Sequence, residues 1–261
     1  MAHSVVIVEG RRHGAASIVP AVIARLERQG ISARIHTADD GRRLSGPLTD
    51  ADVVGLRHLS TWQLAALGQR QAGPVRFCNS VASTAAVRDK ELACSLLAAA
   101  GLPLPLTMTA RTWAEVRSFA GSAIVVKSTE GSGGRDVLLL PDGRPPAIAP
   151  FPGPYLVQEF VSGNGVDYKL YVVGSRVAGV LRRWPAMALQ DKLGTPFAPS
   201  AEQRQIALVV GEALGLELFG VDILMETGPV VVDVNAFPGF KGVTSAPAWI
   251  ADYLATLARG R

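Results

Sequence analysis

Apolar positions along this chain fall into short runs broken by glycine, proline and polar loops. The first run, residues 4–8, is β-branched, of strand length, and ends at Glu9-Gly10. Past a polar loop at 11–14, residues 16–29 carry Ile18, Val22, Ile23 and Leu26 at helical spacing and stop at Gly30. Residues 31–36, 52–56 and 75–78 read as three more strands, with a helix at 62–70 before the last. Strands alternating with helices at this interval predict a small parallel α/β unit over the first 80 or so residues.

From Ser83 the texture changes. Residues 89–100 hold strong helix formers and stop at Gly101, and Pro103 and Pro105 predict an extended link. A short helix is expected at 112–119, strands at 123–128 and 136–140 around a loop at 129–135, and a proline-rich loop at 141–154. Beyond it come a strand at 156–160 and a hairpin of 166–173 with 176–181 turned at Gly174-Ser175. Residues 184–200 show no period and read as an active-site loop. A helix at 201–214, strands at 218–225 and 230–234, and a helix at 248–258 complete the chain. This half is mixed α+β and antiparallel. The expected division is 1–84, 85–155 and 156–261.

Composition narrows the class. Of 261 residues, 48% are hydrophobic and 18% charged, which excludes a disordered chain. The net charge of +4 is small and scattered, so an acidic small molecule accounts for it as well as a nucleic acid does. Cys78 and Cys94 are too few for a disulfide framework and lack metal-ligand spacing. The apolar runs fall short of the ~20 residues that span a bilayer, and no export signal is read at the start. A cytoplasmic protein without membrane or nucleic-acid partners is expected, as a monomer or homodimer.

The polar residues inside the apolar runs carry the candidate chemistry. Glu130, Gly131, Ser132, Gly133, Gly134 and Arg135 form a glycine-rich loop between strands, able to turn backbone N–H groups toward an anion. No Gly-Lys-Ser/Thr follows and no helix starts there, so neither phosphate-loop motif fits, and a plain hairpin turn would share the pattern. Lys127 ends the preceding strand on the face of Val125, where it must meet an anion or reach the edge. Asp233 and Asn235 share a strand face, and Asp222 lies in the strand before. Three oxygen-bearing side chains among Val, Ile and Leu suit a hard cation such as Mg²⁺; paired carboxylates are the alternative. Lys169, Arg182 and Arg183 are fixed cations that could clamp a phosphoryl group or form surface ion pairs.

Taken in order, these segments resemble the ATP-grasp superfamily, and more narrowly the RimK-like carboxylate–amine ligases, over about residues 89–243. The motif DVNAFPGF at 233–240 is similar to the inositol-trisphosphate kinases. The resemblance implies an α/β ATP-grasp fold, with a small amino-terminal parallel α/β domain and a carboxy-terminal mixed and antiparallel α+β ATP-binding region. It implies that Lys90 and Lys127 contact ATP and that residues 130–135 form a lid over its phosphates. Gln158, Glu159, Phe160 and Val161 would read the adenine, and Asp167 would contact ribose or a loop. Lys169 and Arg182 take the place of cations that steady the transferred phosphate. Asp222, Asp233 and Asn235 match the metal triad, filled by Mg²⁺ with Mn²⁺ as a substitute. Gly239 lies in the acceptor-side loop.

Two departures stand out. Asp233 replaces the glutamate usual in the ligases, and residues 184–200 lack the ligases' basic segment, with Lys192 as their one cation. The reaction implied is ADP-forming: a carboxylate takes the γ-phosphoryl group of ATP, and an amine then displaces phosphate to give an amide. The substrates expected are a small-molecule carboxylate and an amine. Arg57-His58, Arg11-Arg12, Arg183 and Lys241 are candidates for holding the acceptor. The alternative is a small-molecule kinase acting on a polyol phosphate. A non-catalytic nucleotide-binding protein is disfavoured because all three oxygen ligands are present.

Overall fold

A computed structural model of the chain describes residues 3–10, 14, 17–37, 48, 51–68, 75–130, 136–184 and 193–260. The amino-terminal part is a parallel sheet of β1 (Ser4–Glu9), β2 (Ser32–Thr37), β3 (Val53–Arg57) and β4 (Arg76–Phe77), in the order β2-β1-β3-β4. Val5, Val6, Ile7 and Val8 of β1 are all buried, as expected of a parallel strand covered on both faces. Helix α1 (Val19–Arg28) turns Val19, Val22 and Leu26 inward. It starts later than the apolar pattern suggested, with Pro20 in its first turn, where the missing N–H has no helical partner to lose. Helices α2 (Thr61–Gly68) and α3 (Val81–Arg88) follow.

The sequence pattern did not predict α3. Its residues VASTAAVR are short and poor in strong apolar spacing. The cap is its one local signal: the Ser80 hydroxyl accepts the Ser83 N–H at 2.9 Å. Asp89 closes α3 and caps α4 (Lys90–Ala99), accepting the N–H groups of Glu91 and Leu92 at 3.1 and 3.0 Å. That cap sets Lys90 at the first helical position.

The central sheet contains β5 (Thr107–Ala110), β6 (Ile124–Ser128), β7 (Val137–Leu140) and β8 (Tyr155–Glu159), in the order β5-β8-β6-β7, all antiparallel. β5 follows the link read at Pro103 and Pro105, where no strand was expected, and α5 (Trp113–Arg117) covers one face. The third sheet runs β11-β10-β9-β12-β13 and is also antiparallel. Its strands are β9 (Val166–Val173), β10 (Arg176–Arg183), β11 (Thr195–Phe197), β12 (Leu218–Met225) and β13 (Pro229–Ala236). The β9–β10 hairpin turns at Gly174-Ser175 as expected. β11 lies in the stretch where no period was visible, and residues 185–192 of that stretch lie outside the described residues.

The two faces of the third sheet meet different layers. Leu170, Val172, Phe219, Val221 and Ile223 pack on α6 (Ala201–Leu214) and α4. On the other face Tyr171, Val173, Phe237 and Phe240 join α7 (Ala246–Ala258), α1 and β1 in one core. A fully buried side chain of this size contributes about 1.5–3 kcal/mol. Asn79 fastens the amino-terminal sheet to β12: its amide donates to the Leu218 carbonyl at 2.7 Å and accepts the N–H groups of Glu217 and Leu218 at 2.8 and 3.0 Å. The polar half of this sheet face carries the candidate site. No described helix is long and apolar enough to cross a membrane.

Candidate functional site

Strand register assembles the site. Lys169 of β9 lies opposite Asp222 of β12, and Asp222 lies opposite Asp233 of β13. Directly opposed residues of antiparallel strands share a face. Asp167 and Arg182 are likewise paired across β9 and β10, and Asn235 lies two residues past Asp233. The sheet therefore places six of the residues selected from sequence on one face.

Their charges interlock. Arg182 Nη2 bridges Asp167 Oδ2 at 2.7 Å and Asp222 Oδ1 at 2.6 Å. Lys169 Nζ meets Asp222 Oδ1 at 2.7 Å. Lys90 reaches from α4 to pair with Asp233, and its Nζ also donates to the Val234 carbonyl at 3.3 Å. Asn235 donates to Asp233 Oδ2 at 2.8 Å. Lys127 crosses from β6 to donate to the Val232 carbonyl at 2.8 Å. A narrow cavity between the sheets is lined by Lys90, Cys94, Lys127, Gln158 and Asp233.

Burial and charge compete at each group. Burial pushes Asp233 up, but Lys90, Lys127 and Lys169 outweigh it and hold the carboxyl well below the usual range. Burial pulls the Lys127 ammonium down, with Asp233 opposing. Burial and the neighbouring Asp222 charge push Asp167 up to about 7, against the pull of Arg182 and Lys169. Among the described residues, Asp167 Oδ1 and Arg182 Nε are buried with no hydrogen-bond partner. Such atoms are costly unless a ligand or water satisfies them.

The raised Asp167 value makes a prediction. A carboxyl whose folded value lies above its unfolded one favours folding when protonated, and that advantage fades as pH rises toward the folded value. In the chain without nucleotide, Asp167→Asn is expected to raise the melting temperature more at pH 8 than at pH 5. Thermal melts at the two pH values check it; an equal change at both would rule out the elevated value.

The other candidates are placed as follows. Gln158 is buried, and its amide donates to Thr107 Oγ1 at 3.0 Å and to Cys94 Sγ at 3.7 Å, so its side chain braces β5 and α4. Glu159 is exposed at the end of β8. Phe160 stacks on Trp184 with centroids 6.5 Å apart, and the Val161 carbonyl accepts the Trp184 indole N–H at 3.3 Å. Glu130 accepts from the Thr61 hydroxyl of α2 at 3.4 Å. Gly131, Ser132, Gly133, Gly134 and Arg11 lie outside the described residues.

Arg57 is buried against Glu9, whose carboxylate accepts from its guanidinium. Both stand at the carboxyl ends of β3 and β1, where the parallel sheet changes winding direction, a usual place for a ligand crevice. His58 beside it is exposed with φ of 55°. Gly239 follows β13 next to Arg57, and Lys241 is exposed. Arg183 is exposed on the sheet face opposite Arg182 and stays outside the cluster. Sequence reasoning missed Glu9, Thr107, Trp184 and Tyr171. Glu9 carried a signal: a carboxylate at the end of an all-buried strand needs a cation.

Among the described residues no group of three or more His, Cys, Asp or Glu is placed to hold a metal ion. The candidate set is two carboxylates and a carboxamide, all oxygen donors on one face, and it fits a hard divalent cation.

Comparison with known proteins agrees in kind. Residues 87–252 match the RimK-like ATP-grasp domain. A probable alpha-L-glutamate ligase of Klebsiella pneumoniae (strain 342) is 36% identical over 232 residues, covering 82% of this chain and 76% of that protein. One from Legionella pneumophila (strain Corby) is 28% identical over 222 residues, covering 78% and 70%. The crystal structure of a RimK domain ATP-grasp protein from Sphaerobacter thermophilus has a TM-score of 0.70, covering 98% of this chain and 100% of that one. At 18% identity it shows a shared fold.

Proposed function

The chain belongs to the RimK-like ATP-grasp family, and on that premise we propose that it joins an α-amino acid to a second small molecule or peptide through an amide bond. It is an ATP-dependent carboxylate–amine ligase with ADP as product. Glutamate is the first substrate to test, because the relatives are named as glutamate ligases. The observation that carries the reading is the charge balance on the sheet face. Lys90, Lys127, Lys169 and Arg182 surround Asp167, Asp222 and Asp233, a set with net positive charge at one sheet face.

In this reading a substrate carboxylate oxygen attacks the γ-phosphorus and ADP leaves. The amine nitrogen then attacks the acyl carbon and phosphate leaves. Lys90 and Lys127 bind the nucleotide phosphates. Lys169 and Arg182 offset the charge that moves onto the transferred group, and the unsatisfied Arg182 Nε–H offers it one more donor. Asp222, Asp233 and Asn235 would hold Mg²⁺, and Mn²⁺ suits the same donors. The ion, when bound, neutralises phosphate charge and polarises the phosphoryl group. Phe160 and Val161 line the base side. The 130–135 loop shields the acylphosphate from water, and Arg57, His58, Gly239 and Lys241 border the acceptor.

The test is phosphorus NMR with Mg²⁺-ATP and pooled acceptors. Free phosphate and ADP that appear only when both a carboxylate and an amine are present support the ligase reading. Phosphorus carried onto a hydroxyl, with no free phosphate, would replace it with the kinase.

A further inference from the structure

Tyr171 follows Lys169 by two residues on β9 and shares its face of the sheet. Two contacts converge on it. Its ring stacks on Phe240 with centroids 5.2 Å apart and planes at 30°. The Lys169 ammonium lies 5.8 Å from the ring centroid. Tyr171 is buried, so these contacts act away from bulk water.

The loop it touches, residues 237–242, is held under backbone strain. Phe237 has φ of 36° and Phe240 of 47°, a region that bulky side chains seldom enter. Such conformations persist where the surroundings over-determine them, and they cluster at functional sites. Here the surroundings are specific. Phe237 packs so closely on Gly55 of β3 that a Cβ there would lie 3.0 Å from its ring. Pro238 and Lys169 share the space above Gly220, where a Cβ would lie 2.9 Å from Lys169 Cε and 3.2 Å from Pro238 Cγ. A Cβ on Gly239 would lie 3.7 Å from Arg57 Nη2. The loop thus spans from the crevice of the parallel sheet to the lysine assigned to the phosphoryl group, and Tyr171 touches both the lysine and the loop.

We propose that Tyr171 is a positioning residue that keeps the 237–242 loop, and the acceptor beside it, in register with Lys169 during phosphoryl transfer. The inference rests on the ligase reading above. Tyr171→Phe keeps the ring stack and the cation–π contact, and Tyr171→Leu loses both. Phe240→Leu removes the stack from the loop side.

The assay supplies Mg²⁺-ATP, common α-amino acids with glutamate first, and hydroxylamine, which traps an acylphosphate as a hydroxamate. ADP and hydroxamate are counted separately, and melting curves confirm folding. For Tyr171→Phe both KM values are expected to stay within about twofold of wild type. For Tyr171→Leu the acceptor KM rises about fivefold while the ATP KM stays within about twofold. Its kcat for hydroxamate falls about thirtyfold and the ratio of ADP to hydroxamate rises, because misplaced acceptor leaves the phosphoryl group to water. If Tyr171→Leu fails to fold, the same KM split in Phe240→Leu decides. A wild-type chain that forms hydroxamate while the folded Leu variant matches it, or shifts both KM values together, overturns the role of Tyr171 and leaves the ligase reading standing. No hydroxamate from the wild-type chain overturns both.

Discussion

Asp233→Ala lowers ATP turnover by about a thousandfold or more while the chain still folds. Asp233 pairs with Lys90, accepts from Asn235, and lies opposite Asp222 in the strand register. Removing it takes away one of two carboxylates for the ion and releases the lysine assigned to phosphate. Folding survives because Lys90 stands at the first position of α4, is partly exposed, and keeps the Val234 carbonyl as an acceptor. The carboxyl is held below its unfolded value, so its contribution to stability is present above that value and is lost as pH falls through the folded one. Wild type is therefore more stable than the variant from neutral pH down to the ordinary carboxylate value of 3.8, and the gap closes only below it. An ADP-release assay with denaturant melts at several pH values measures both. Turnover that persists in a folded Asp233→Ala chain would remove Asp233 from the metal site.

The parts of this molecule legible in the sequence are those where one physical cause acts alone. β1 and β3 are buried on both faces and read as short apolar runs, that of β1 β-branched throughout its apolar part. The β9–β10 hairpin showed because strand, two-residue turn and strand are all local. Asp233 and Asn235 could be placed together because alternate residues of a strand share a face. What stayed hidden depends on partners far along the chain. β5, with its sequence TMTA, is a strand because β8 lies beside it, a pairing that neither segment announces. β11 exists because β10 offers an edge. Gln158 was read as an adenine contact, and its amide turns to Thr107 and Cys94, which are 51 and 64 residues away. Lys90, Lys169 and Arg182 were each selected as cations for phosphate. That each is also tied to a carboxylate follows from the order of strands in the sheet, which periodicity does not encode.

Lys90 and Lys127 test this arrangement most sharply, because the same substitution is expected to affect their stabilities in opposite ways. Lys127→Met is expected to weaken binding of a non-hydrolysable Mg²⁺-ATP analogue about a hundredfold and leave stability unchanged or slightly higher. The Lys127 ammonium is pulled down by burial, and its hydrogen bond goes to the neutral Val232 carbonyl. Replacing it by a similar apolar chain removes a buried charge and strands one carbonyl, and these effects roughly offset. Lys90→Met also loses nucleotide affinity, but it strands the Asp233 carboxylate in a partly buried site and costs about 3 kcal/mol. Calorimetric titration with the analogue, beside urea melts of both variants, separates the two effects. Wild-type affinity in Lys127→Met would show that the buried lysine braces the two sheets and leaves the phosphate to others. Equal destabilisation of both variants would mean that Asp233 draws its stability from the whole cluster of cations, with Lys90 no more than one member of it.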